Sequence, residues 1–132
     1  MIRRDLEIGR WHVEFYFAPD GYDIDYILER MYYFGAGAKK MRRALRLMES
    51  GELNRGFTFS NQLDRVAVVV IGPTSSGAEF QDTLSHEVHH LAVSIAGALG
   101  VDLTGETPAY YSGDAIRDLA DVVCKLGCGQ CR

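Results

Sequence analysis

Apolar positions along the chain repeat first with a period of two and later with a period near 3.6. The run "RWHVEFYF" at 10–17 alternates Trp11, Val13, Phe15 and Phe17 with His12, Glu14 and Tyr16, the pattern of a strand with one buried face. His12 falls on the polar side and is expected to face solvent, since no other ligand type stands at metal spacing beside it. After "PDGYD", Asp23 is placed to cap a helix carrying Ile24, Ile27, Leu28, Met31 and Tyr32 on one side. "GAG" at 35–37 breaks or bends it. A second helical stretch, "AKKMRRALRLMES", turns Met41, Leu45 and Met48 inward and its basic residues outward, and ends at Gly51. The methionines read as core.

Two β signals follow, "GFTFS" and "RVAVVVIG", the second a nearly unbroken β-branched run suited to a buried strand. Ser76 and Glu79 have capping-box spacing, which predicts a helix from about Gly77 to about Leu99, stopped by Gly100. A short connector leads to another helix beginning near Glu106 or Thr107, with Pro108 tolerated in its first turn. The order strand, helix, helix, strand, strand, helix, helix is an α+β pattern. No internal repeat or linker divides it, so residues 1–132 are expected to form one domain with a cysteine-containing tail at 124–132.

Composition narrows the functional classes. A chain of 132 residues, 47% hydrophobic, buries roughly two-thirds of its unfolded surface. It needs neither disulfide nor metal merely to fold, so a metal site here would be functional. The formal charge of −4 argues against a general nucleic-acid binder. Lys39, Lys40, Arg42, Arg43 and Arg46 are nonetheless clustered; they read as a solvated helix face, with an acidic partner as the minority reading. No signal-like apolar segment and no run of membrane-spanning length occurs, which predicts a cytoplasmic protein without a membrane anchor. Cys124, Cys128 and Cys131 lack an adjacent fourth ligand for a zinc site and the strand-then-helix setting of a redox motif. They are expected to be reduced thiols at a frayed end.

The candidate chemistry lies in "SHEVHHLAVSIAG" at 85–97. His86 and His90 are four residues apart, so on a helix both imidazoles stand on one face and can reach one ion. Glu87 projects about 100° around the helix, beside the ion's open position. Neutral imidazoles hold Zn²⁺ and leave a centre that acidifies a bound water; the neighbouring carboxylate can take that water's proton and return it to a leaving amine. His89 cannot share the ligand direction of both other histidines and is set at the surface or behind the ligands. Catalytic zinc sites use a third protein ligand. Glu106, 16 residues beyond His90, is the candidate, with Asp102 and Asp114 as alternatives. Tyr110, four residues after Glu106, would share its face and can donate to a carbonyl oxyanion. Tyr111 is directed toward packing.

With these residues in place, the chain resembles the zincin metallopeptidases, in a minimal gluzincin-like form. A β region precedes the "HEVHH" helix, and a second helix bears the glutamate of "GETPAYYSG". It is also similar to short zincin-like proteins of phages and mobile elements. The resemblance covers about residues 57–123. It implies a small zincin-like domain with a short mixed sheet against the His-Glu-x-x-His helix, Zn²⁺ on His86, His90 and Glu106, and Glu87 as general base and acid. It also implies a peptide or protein substrate lying along "RVAVVVIG" as an edge strand. The Asn-Glu-x-x-Ser-Asp segment of larger gluzincins and their second subdomain are absent. The alternative is a non-catalytic zincin-like protein that binds a partner, its zinc structural.

Overall fold

The alternating run at 10–17 becomes a strand that is paired on both sides and covered on both faces. The computed structural model describes residues 1–128. Its elements are β1 (Ile2–Ile8), β2 (Trp11–Phe17), α1 (Gly21–Tyr33), α2 (Ala38–Glu49), β3 (Gly56–Asn61), β4 (Val66–Ile71), α3 (Gly77–Ala98) and α4 (Glu106–Asp118). A last helical turn, α5 (Ala120–Val122), runs into a π-helical turn at Val123–Cys128. The α+β class expected from the sequence is what the chain adopts. The strands form one mixed sheet in the order β1-β2-β4-β3, with β2 and β4 parallel and the two outer pairs antiparallel.

Strand β1 is absent from the sequence-based reading, in which its charges hid the alternation of Ile2, Leu6 and Ile8. It pairs with β2 through a two-residue turn at Gly9 and Arg10, both at positive φ, the twist that tight hairpins favour. A side chain at Gly9 would meet the Tyr111 ring at 2.8 Å, so this turn also seats α4, and Tyr111 packs as expected.

Helices cover both sheet faces. On one, α3 and α4 bury Trp11, Val13, Phe15 and Phe17 with Ala67, Val69 and Ile71. On the other, α1 and α2 bury Tyr16, Val68, Val70 and Phe59 against Ile27, Met31 and Ala44. The expectation that β2 has a polar, solvated side is therefore corrected: Glu14 and Tyr16 are fully buried, and His12 is half-buried. The strand expected at the sheet edge, β4, is an interior strand; the edge on that side is β3. β4's unbroken β-branched run fits that interior place.

The caps are mostly as the spacing predicts. Ser76 caps α3 by accepting from the Glu79 amide, and Gly100 follows the helix at φ 70°. At α1, however, the cap is Asp20, which accepts from the Tyr22 amide, while Asp23 closes the capping box from inside. Cys124 is disulfide-bonded, which corrects the expectation of a reduced thiol there. The Cys128 side chain and Cys131 lie outside the described residues. Among those residues no helix is long and apolar enough to cross a membrane.

Candidate functional site

Helix α3 lies along the β3 edge of the sheet, and its sequence sorts three directions. Phe80, Leu84, Val88, Leu91 and Ile95 go into the core. His89 is exposed. His86 and His90, one turn apart, look across β3, with Nε2 atoms 3.1 Å apart and ring planes nearly perpendicular. Two ligands on one tetrahedral zinc stand about 3.3 Å apart. The histidine pair thus already converges as two donors to one ion must.

Glu87 takes a different path, inward beneath β3, and is 5% exposed. One carboxylate oxygen accepts from the Thr58 hydroxyl at 2.9 Å. That hydroxyl also lies 3.2 Å from the Glu87 carbonyl. The second carboxylate oxygen takes no hydrogen bond from the described residues. Among the described residues no fully buried side-chain polar atom is without a partner, so this oxygen keeps some exposure, and Glu87 is among the residues that line the groove. Gly56 makes room for the arrangement: a Cβ there would stand 2.9 Å from Glu87 Cγ and 2.9 Å from the Val70 carbonyl oxygen.

The groove has a volume of about 520 Å³ and wraps the β3 edge. Gly56 to Ser60 form its floor, His86, Glu87 and His90 one wall, and Lys40, Arg43 and Leu47 of α2 the other. Thr58, Gly56 and the α2 wall were missed in the sequence. Thr58 and Glu87 are 29 positions apart, and no local pattern connects them.

The remaining predicted residues stand elsewhere. Glu106 and Tyr110 are exposed on the first turns of α4, where the Tyr110 hydroxyl lies 3.4 Å from a Glu106 carboxylate oxygen. α4 packs against α3 and β1, and neither residue lines the groove. Asp102 accepts from the amide and hydroxyl of Thr104, and Asp114 pairs with Arg117 at 3.4 Å. None of these three carboxylates joins His86 and His90 in a group of ligand atoms within 4.8 Å of one another. Zinc therefore fits the histidine half of the proposed shell, whereas the described residues do not bring a third ligand to it.

Only Asp5, His12 and Glu14 form a group that compact among the described residues. Its electrostatics favour an ion network over a cation site. Glu14 accepts from Tyr16 at 2.6 Å, from Arg30 at 3.0 and 2.6 Å and from His12 at 2.9 Å. Arg3 spans Asp5 and Glu14. Two guanidinium groups already pair with the carboxylates of this cluster. Burial pushes the Glu14 carboxyl up, but its bonds to Arg30, Tyr16 and His12 outweigh this and hold it down at about 2. Burial likewise opposes charge on His12, yet the Glu14 and Glu7 carboxylates raise its pKa above the usual histidine value.

Compared with protein-family models, curated proteins and solved structures, the chain matches none.

Proposed function

We propose that the protein is a small zinc-dependent hydrolase of the zincin type that cuts an amide bond in an extended peptide or protein segment. The reading is carried by the convergence of His86 and His90, 3.1 Å apart at Nε2, in a groove that they share with Glu87 and with β3, the edge strand among the described residues. An exposed strand edge presents free backbone donors and acceptors, and an extended peptide can satisfy them as an added strand.

His86 and His90 would hold the metal through Nε2. When bound, zinc supplies a Lewis-acid centre that lowers the pKa of its water toward about 7. Glu87 takes the attacking water's proton at the oxygen that Thr58 leaves free and delivers it to the departing amine. Thr58 is a positioning residue, holding one oxygen and leaving the other to take the proton. Glu106 is proposed as the third ligand and Tyr110 as an oxyanion donor; both require α4 to present its first turn to the groove.

Metal analysis and an unbiased peptide-library digest test the reading. Purified wild type is expected to hold about one zinc per chain. His86→Ala and His90→Ala should each lose it, and a chelator should abolish cleavage. Glu87→Gln should keep the metal and lose about 10²-fold or more in turnover. Full activity in that variant sinks the mechanism. Glu106→Gln, Asp102→Asn and Asp114→Asn, compared for zinc affinity, identify the third ligand.

The position of Glu106 away from the histidine pair favours a second reading: a non-catalytic zincin-like protein that binds a partner in the same groove, with zinc structural. Zinc retained without cleavage of any library member selects this alternative.

A further inference from the structure

The far wall of the groove carries a charge that peptide hydrolysis alone does not require. In a chain of net charge −4, α2 holds Lys39, Lys40, Arg42, Arg43 and Arg46 against a single Glu49. Its first turn contains lysines and no acid, although the positive end of the helix dipole disfavours cations there. Lys40, Arg43 and Leu47 follow one helical stripe that faces the groove, and Arg55, just before β3 and paired with Glu52 at 2.8 Å, stands at its end. Neither Lys40 nor Arg43 has a carboxylate within salt-bridge distance among the described residues. Arg43 and Arg46 also line an adjoining hollow of about 210 Å³, together with the Arg55–Glu52 pair. Apart from Glu87, no acidic side chain lines the main groove.

The two faces of β3 differ accordingly. Phe57 and Phe59 pack on the α2 side. Thr58 and Ser60 bond to Glu87 and Ser94 on the α3 side. A strand added beside β3 would send alternate side chains to these two faces. One set would meet Lys40 and Arg43, and the other would meet His86 and His90.

We infer that the groove selects an acidic extended peptide with carboxylates at alternate positions, which meet the α2 wall while the intervening residues face the histidines. This rests on the reading of the groove as a peptide site and adds the class of peptide it takes. Alternation matters because adjacent carboxylates would place every second charge on the histidine face.

Fluorescence anisotropy tests it, with chelator present so that binding is read without metal or turnover. The probes are labelled peptides of about ten residues: one with glutamate at alternate positions, one of the same composition with its glutamates in a block, and a lysine counterpart of the first. The alternating glutamate peptide is expected to bind most tightly and to weaken as salt is raised. The exposed double variant Lys40→Glu/Arg43→Glu, checked for folding by circular dichroism, should bind it about tenfold more weakly and should gain affinity for the lysine peptide. Equal binding of the three peptides, or no effect of the reversal, overturns the inference. Tighter binding of a single-stranded oligonucleotide of matched charge does so in favour of nucleic acid. Acidic binding with no cleavage would refute only the hydrolase reading; cleavage of neutral peptides without acidic preference would refute only this one.

Discussion

Glu14 illustrates how a polar residue on an apparently solvated strand face becomes a structural centre. It is fully buried and answers to Arg30, Tyr16, His12 and Arg3. A buried charge whose partners remain is costly to remove on one side only, so Glu14→Gln should destabilise the fold by about 3–5 kcal/mol, measured by chemical denaturation. The pH dependence has two opposed limbs. The depressed Glu14 value contributes stability that is full above the ordinary carboxyl value of 4.5 and is lost as pH falls toward about 2. The raised His12 value contributes stability that is full below 6.5 and fades as pH climbs through the folded-state value. Thermal unfolding is therefore expected to show greatest stability between these limits. His12→Phe should remove the alkaline limb and, because Glu14 loses one of its donors, also weaken the acid limb.

At the scale of elements, Gly56 couples β3 to α3. Its Cβ position lies within 2.9 Å of both Glu87 Cγ and a neighbouring backbone oxygen, so Gly56→Ala must move the carboxylate or the strand. A loss of about 1–3 kcal/mol is expected by denaturation, along with lower turnover at unchanged zinc content. Ser76→Ala, which removes only the cap of α3, should cost about 1 kcal/mol and leave zinc content unaltered. Helix α3 and its cap were legible in the sequence because capping and periodicity are local. So was the shared face of His86 and His90, which four-residue spacing dictates. The β1 strand was hidden because its inward positions are separated by Arg3, Arg4, Asp5 and Glu7, charges appropriate to a sheet edge. The partners of Glu87 and Glu14 and the position of Glu106 relative to the histidines were not legible, because strand order and helix placement decide them across long stretches of chain.

For the whole molecule, placing helices on both sheet faces explains why β4 is apolar throughout and why Glu14 and Tyr16 are inside. It also confines ligand access among the described strands to the sheet margins. Those margins differ. The β1 side bears four charged residues along its length, whereas β3, "GFTFSN", bears none. A strand margin without charges is ordinarily prone to pairing with its own copy. Here the guard stands beside the strand and not on it: two copies brought margin to margin would also bring their α2 cations together. The protein's resistance to self-association is thus expected to be electrostatic and salt-sensitive. Light scattering should report rising association with ionic strength for the wild type, and Lys40→Gln/Arg43→Gln should associate already at low salt. A wall of charge that draws one kind of chain into the groove would by the same means keep the protein from recruiting itself.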